Sequence, residues 1–363
     1  MKILVVSTVG VTANGIIVVL KNYYSRINKE KFKVDFVFPR ARDEKLKKEF
    51  ESMANVEVFP RGLKNIPSYM FKLYKLIKEN KYDIVHVHGN SATMVFEMLA
   101  AAVGGVKVRI VHSHNTECSS KRLHSLLNPL FKRLYTHTFA CGEKAGAWLF
   151  GDGKARIIKN GVDLDKFKFD DDARQKIRDE LNVSDKIVIG HIGVFNEQKN
   201  HVFLIDIFEA LYKKNQNCHL VLVGSGEKFE EIKELVGRKG LTDAVTFAGI
   251  VRNSNEFYQA FDAFVLPSLF EGLPLVSVEA QASGLPCIIA DTVSEEAKVT
   301  ELVEFLSLET SPDKWADAIL SKVSEKDRKE VSQRAVVDLT EAGFDIVKNV
   351  EDLEKIYEEM LKI

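Results

Sequence analysis

"LFEGLPLVSVEAQASGLPCIIAD", residues 269–291, places two Gly-Leu-Pro triplets around two glutamates, Glu271 and Glu279, eight positions apart. The run before it, AFVLPS, is strand-like and ends near Ser268, and PCIIAD behind it is strand-like again. Pro274 suits the first turn of a helix, where its missing N–H costs nothing. Gly284 suits the left-handed position just past a helix end, and Pro286 blocks continuation. The stretch therefore predicts strand, helix of about ten residues, strand. Gly272 opens the backbone ahead of the helix to close approach. The N–H groups between Gly272 and Leu275, Leu273 included, then form with the helix dipole an anion site suited to phosphate. Glu279 lies about a turn and a half inside, beyond the phosphates but placed to accept hydrogen bonds from a sugar diol, as an acidic residue does in dinucleotide folds. Glu271, on the loop, is placed for the hydroxyls of a second sugar. For an isolated pair of glutamates, a capped helix with two solvated carboxylates is the plainer alternative.

The same alternation runs outward in both directions. KILVVS, KVDFVF, YDIVHVHG, KVRIVHSHN and HTFACG read as strands, separated by helical stretches such as GIIVVLKNYYSRI, SYMFKLYKLIKENK and SATMVFEMLAAAVGG. Near-continuous Val/Ile runs between helices mean a parallel sheet covered on both faces. The pattern loosens between residues 151 and 185 and restarts with KIVIGHIG, HLVLVG, AVTFAG and AFVLPS. With 363 residues and roughly 100–200 per domain, two doubly wound domains are expected, over 1–165 and 166–340, with a closing helix over 341–363. Such domains leave a cleft lined by the carboxyl ends of their strands.

Four scattered cysteines without a C-x-x-C pair indicate free thiols in a reducing compartment. MKILVVSTVG reads as a buried strand and lacks the apolar core and cleavage site of a signal peptide. Net charge is −1, yet residues 1–165 carry +12 and the remainder −13. Ordinary solvated surface accounts for any single charge. A swing of that size suits a basic half facing an anionic substrate or an anionic membrane. Lys72, Lys75 and Lys78 recur on one face of SYMFKLYKLIKENK, opposite Met70, Leu73, Leu76 and Ile77. VVSTVGVTANG lacks the G-x-G-x-x-G that a dinucleotide oxidoreductase would carry after its first strand.

In this setting PSLFEGLPLVSVEAQASGLPCIIAD closely resembles the signature of retaining glycosyltransferases of family 4, of the GT-B fold. NG at Asn14–Gly15, VRIVHSHNT, IIKNGVDLDKF, FNEQKNHVFLIDIF, LVLVGSGE and TFAG extend the resemblance over nearly the whole chain, toward the capsule and exopolysaccharide branch. The resemblance implies an α/β GT-B architecture of two Rossmann-like domains facing a central cleft. It implies a hexosyltransferase-type enzyme that takes a sugar from a nucleotide-diphosphate-sugar donor, of the UDP-binding kind, and passes it with retention to a glycan or polyprenyl-diphosphate-linked acceptor. It further implies no metal or other cofactor, no nucleic acid, and a cytoplasmic protein in peripheral contact with an anionic membrane. A nucleotide-sugar 2-epimerase of the same fold, or a non-catalytic nucleotide-sugar-binding protein, are the alternatives.

Residue by residue, the resemblance sets Gly15 in the turn beside the donor diphosphate. Asn14 takes the place of the family's first glycine, with some left-handed tolerance. Ile17 stands where the family often has a glutamate. His114 falls beside the transferred sugar and, with Glu271, is assigned to catalysis. Glu271 is the alternative nucleophile to front-face attack assisted by the departing phosphate. Lys199 matches the lysine that holds the diphosphate, but its arginine partner is replaced by Val194. Leu273, Leu275 and Glu279 complete the donor site with Gly272. His112, Gly224 and Arg252 are further candidates. His86 and His88 share one strand face, as do His112 and His114. Clustered histidines also suit metal, but no third ligand spacing is evident. "DLD" at 163–165 superficially matches an Asp-x-Asp metal motif, and its position favours a turn.

Overall fold

The computed structural model describes residues 1–362 apart from Ala13, Ser119, Gly272 and residues 324–326. The chain forms two compact units, Met1–Gly161 with Ile346–Ile363, and Val162–Asp345. The break at Gly161 comes a few residues before the expected one. The terminal helix, Ile346–Leu361, returns to the first unit. Its buried stripe of Ile346, Val350, Leu353, Ile356 and Tyr357 finds its apolar partner there. Residues 341–345 stay with the second unit, where Phe344 is part of the core.

The first unit is a parallel sheet in the order β3-β2-β1-β4-β5-β6-β7. Its strands are β1 Lys2–Ser7, β2 Lys33–Phe38, β3 Asn55–Val58, β4 Ile84–Gly89, β5 Val108–Ser113, β6 His137–Ala140 and β7 Arg156–Ile157. The second unit repeats the pattern as β10-β9-β8-β11-β12-β13. These are β8 Ile187–Ile192, β9 Cys218–Val223, β10 Val245–Gly249, β11 Ala263–Leu266, β12 Cys287–Ala290 and β13 Val303–Leu306. β4, β11 and β12 are buried along their whole length, as strands covered on both faces must be. In each sheet the winding reverses, at β1/β4 and at β8/β11, the points where an open parallel sheet offers a crevice.

Several details depart from the sequence pattern. The segment expected to be loose holds two helices, Leu164–Phe167 and Asp171–Glu180, capped by the side chains of Asp163 and Asp170. Asp163 in "DLD" thus serves as a helix cap, in line with the turn reading. Lys121–Phe131 is helical despite Pro129. On helix Ile66–Asn80 the buried residues are Tyr69, Leu73 and Ile77, so the core face is rotated slightly from the expected one. The helix basic in Lys72, Lys75 and Lys78 keeps these exposed. Residues 346–363 bring three basic and five acidic residues, and the first unit still carries +12.

One glycine is dictated by packing. Gly224 has φ +137°, and a Cβ there would lie 1.9 Å from the Gly193 carbonyl oxygen. Gly224→Ala should therefore destabilise the protein by about 2 kcal/mol or more. A melting temperature equal to the parent's would contradict this.

Candidate functional site

The second unit's site is built where β8 and β11 part. The chain leaves β8 through Gly193–Asn200 and β11 through Pro267–Pro274. The loops are stitched together: the Leu269 N–H donates to the Gln198 carbonyl at 2.8 Å, and Gln198 Nε2 donates to the Phe270 carbonyl at 2.9 Å. This brings Lys199 Nζ to 2.6 Å from Glu271 Oε1, with each side chain only 13% exposed. Two residues singled out separately in the sequence are thus an ion pair, 72 positions apart. In a pair this buried, removing one partner strands the other. The Lys199 N–H donates to Asn196 Oδ1 at 3.1 Å, and Asn200 takes φ +53° to begin the next helix. The lysine stem passes Gly193, where a Cβ would come within 3.2 Å of it.

The helix following Glu271 spans Leu275–Ala282, with Pro274 as its N-cap and no capping side chain. Its leading N–H groups lack the usual side-chain acceptor, which leaves the anion-binding arrangement of a helix N-terminus. Leu273 and Leu275 are partly buried and pack on the core below. Gly272 lies outside the described residues. Gly284, at φ +69°, ends the helix as the sequence predicts. On this helix Glu279 is half-buried, and Tyr258 Oη donates to its Oε2 at 2.9 Å and to the Val276 carbonyl at 3.2 Å. Burial pushes the Glu279 carboxyl up to about 7, against the opposing pull of the Tyr258 bond and of Lys166. A carboxyl so poised lies between its neutral and charged forms, and a hydroxyl donor that binds it favours the ionised carboxylate.

The remaining candidates fall differently. Gly224 packs on Gly193, so its role is set by the close approach of two loops. Arg252 is exposed on the loop after β10. Val194, where a second cation was expected, is 49% exposed.

In the first unit, Asn14 caps helix Gly15–Tyr24, its Oδ1 accepting the Ile17 N–H at 3.2 Å. Its φ is −139°, so its left-handed tolerance is not used, and the capping bond is what selects it. A Cβ on Gly15 would meet nothing within 4 Å, which leaves that turn open to a ligand. Ile17 is fully buried, so this helix position serves the core. His114 stands just past β5, with Nε2 2.8 Å from His88 Nδ1. Burial holds the His114 imidazole down to about 3 and therefore neutral. His112 is buried inside β5, and His88 pairs with it across the sheet.

Two residues escaped sequence reasoning. Tyr258, on helix Ser254–Ala260, is 21 positions from Glu279, and only folding connects them. His191 is fully buried in β8, its Nδ1 2.8 Å from the Val265 carbonyl. Burial, with a smaller push from Lys199, lowers it to about 4. The rarity of a histidine inside an otherwise apolar strand was the available signal.

Comparison with known proteins agrees with this geometry. The model of glycosyl transferases group 1 matches residues 173–336, and that of glycosyltransferase family 4 matches residues 13–166. The glycosyltransferase EpsF of Bacillus subtilis (strain 168) is 34% identical, over 96% of this chain and 94% of that protein. The Escherichia coli UDP-Gal:alpha-D-GlcNAc-diphosphoundecaprenol alpha-1,3-galactosyltransferase is 30% identical, over 80% of this chain and 79% of its own. The crystal structure of Anabaena HepE in complex with UDP shares the fold, with a TM-score of 0.80 at 20% identity over 99% of this chain and 100% of that one. A doubly wound pair of units, the Glu271–Glu279 block and a near full-length relative together place this chain among the GT-B glycosyltransferases of family 4.

Proposed function

We propose that the protein transfers a sugar, with retention, from a nucleotide-diphosphate sugar to a glycan or a polyprenyl-diphosphate-linked acceptor, without a metal in the transfer step. The observation that carries this is the Lys199–Glu271 pair next to an uncapped helix N-terminus, with Glu279 one and a half turns on. Lys199 and the leading N–H groups neutralise the diphosphate as its bond to the anomeric carbon breaks. Glu279 accepts from the ribose diol. Glu271, held by Lys199, binds hydroxyls of the transferred sugar, a role better suited to a paired carboxylate than nucleophilic attack. The acceptor oxygen forms the new bond on the face the diphosphate leaves, and its proton passes to the departing phosphate oxygen. His114, held neutral by burial, is the first unit's candidate for the transfer step. UDP is the nucleotide to try first, because it is bound in the Anabaena structure and its sugar is the donor of the E. coli relative. Incubation with UDP-sugars, with and without a lipid-linked acceptor, should give transfer product with retained configuration. Appearance of the 2-epimer of the donor, or binding with no turnover on any acceptor, would defeat the proposal.

Lys199→Ala should lower kcat by about a hundredfold or more, as loss of one charge-stabilising group does. Because it strands Glu271, it should be compared with Lys199→Ala/Glu271→Gln. Recovery of stability but not of turnover in the double variant is expected, and recovery of both would reduce Lys199 to a structural ion-pair partner.

Glu279 gives a pH signature. A ribose diol favours the ionised carboxylate, so affinity for UDP should rise about tenfold from pH 6 to pH 8 beyond the slope of Glu279→Gln, given a carboxyl near 7. In the free protein the sign is opposite. The unfolded chain releases this proton near 4.5 and the folded one near 7, so this stabilising contribution is full below 4.5 and is lost as pH rises to 7. Parallel pH profiles for parent and variant would remove the assignment.

Membrane contact is proposed through the first unit. On helix Ile66–Asn80, Lys72, Lys75 and Lys78 are exposed and Phe71 is 65% exposed. Helix Lys121–Phe131 exposes Leu126 at 76% and Leu130 at 47%, with Lys121, Arg122, Lys132 and Arg133 exposed at its ends. Among the described residues no helix is long and apolar enough to cross a membrane. A cytoplasmic, peripheral placement therefore rests on these surfaces, with about 1 kcal/mol for each basic residue near an anionic leaflet. Flotation with anionic vesicles should show binding that weakens with salt and drops in a Lys72/Lys75/Lys78→Ser variant. Indifference to anionic vesicles at low salt would mean a soluble acceptor.

A further inference from the structure

The first unit holds a group of histidines that the transfer reaction does not absorb. Period-two spacing puts His86 and His88 on one face of β4, and His112 joins them from β5, where it is the register partner of His88. All three are buried, with ring centroids 4.1 Å apart for His86–His88, 5.0 Å for His88–His112 and 5.4 Å for His86–His112. One ring nitrogen from each lies within 4.8 Å of the other two. His86 Nε2, His88 Nε2 and both nitrogens of His112 are buried and meet no hydrogen-bond partner. Buried polar atoms are nearly always partnered, so several bare nitrogens in one place call for a bound group. Beside them is a cavity of about 10 Å³, lined also by Tyr24, Ile158 and Leu353, with room for about one water-sized particle.

The other nitrogens of His86 and His88 are already engaged in ways that hold those two rings. His86 Nδ1 is 2.7 Å from Tyr357 Oη and 3.2 Å from Tyr24 Oη, and the two hydroxyls are 2.8 Å apart. His88 Nδ1 is 2.8 Å from His114 Nε2. Donation from each Nδ1–H leaves the Nε2 lone pair bare, the orientation that outer partners impose on metal-binding imidazoles.

We propose that His86, His88 and His112 form a buried site for a zinc-class divalent ion, with one water as fourth ligand. Donors on a tetrahedral zinc stand about 3.4 Å apart, so the rings close inward slightly on binding. Three imidazoles select zinc, cobalt or nickel over magnesium and calcium, which require oxygen. The ion is structural. It fastens β4 to β5 beneath the helices that carry Tyr24 and Tyr357, and it meets the proposed transfer machinery through the His88–His114 contact.

The test uses tag-free, full-length protein made in zinc-supplemented medium, because a buried ion is loaded as the chain folds. Elemental analysis after gel filtration should find one equivalent of zinc. Cobalt-grown protein should show the visible bands of four-coordinate Co(II). Loaded protein should melt higher than protein made under chelation, with no such gain from magnesium or calcium. His86→Phe and His112→Phe should reduce the metal to background. His137→Gln and His219→Gln, at half-buried histidines elsewhere, should retain it. Parent protein with only background metal from both media means that water fills the cavity, and overturns the proposal. Metal persisting undiminished in His112→Phe overturns it equally. If the phenylalanine variants do not fold, the parent's zinc content and cobalt spectrum decide.

Discussion

Strands β8 and β11 lie side by side and parallel, but the chain leaves them in opposite directions, toward β9 and toward β12. Their loops must therefore part at the strand ends, and the gap between them is the one place in this sheet where side chains from two loops face each other without a crossover helix intervening. Lys199 and Glu271 come from those two loops, and the Gln198 contacts fix their separation. The helix that starts at Leu275 then points its N-terminus toward the same end of the sheet. The first unit repeats the device at β1/β4, where Thr8 donates through both its N–H and its hydroxyl to the His88 carbonyl. Gly15 and His114 are placed from strands beside that junction.

Much of this is legible in the sequence where local chemistry decides it. Pro274 and Gly284 bracket their helix because each acts through its own backbone. Val/Ile runs reveal buried parallel strands because both faces need apolar cover. The histidine pairs announce a shared face through period two. What the sequence hides depends on distant partners. The apolar stripe of Ile346–Leu361 is evident, but which unit it covers is not, since the stripe records only that a partner exists. Asn14 is compatible with a left-handed turn or with a cap, and the Ile17 N–H settles the matter in favour of the cap. Helix Lys121–Phe131 is obscured by Pro129, a residue that normally ends or kinks a helix, and here the helix stops two residues later. Tyr258 carries no local mark of its bond to Glu279.

Burial gives the two acidic residues of the signature different characters. Glu271 is compensated by a cation at 2.6 Å, whereas Glu279 has only a neutral hydroxyl at 2.9 Å and is driven toward its protonated form. The second is therefore the one placed to respond to what binds. Two carboxylates eight residues apart thus divide their work through environment alone.

The same reasoning bears on Val194. In the proposed donor site, an exposed valine where the resemblance leads one to expect a second cation would leave Lys199 to serve both Glu271 and a diphosphate. A diphosphate carries more charge than one carboxylate and also meets the N–H groups at the start of helix Leu275–Ala282, so it can draw the ammonium toward itself without breaking the ion pair outright. Under the proposed mechanism Glu271 would then share its cation as charge builds on the leaving group, and its oxygens would become freer acceptors for the sugar hydroxyls. In that arrangement a valine in place of the arginine would make diphosphate and sugar binding interdependent, because both would act through one lysine, which two independent cations would not do.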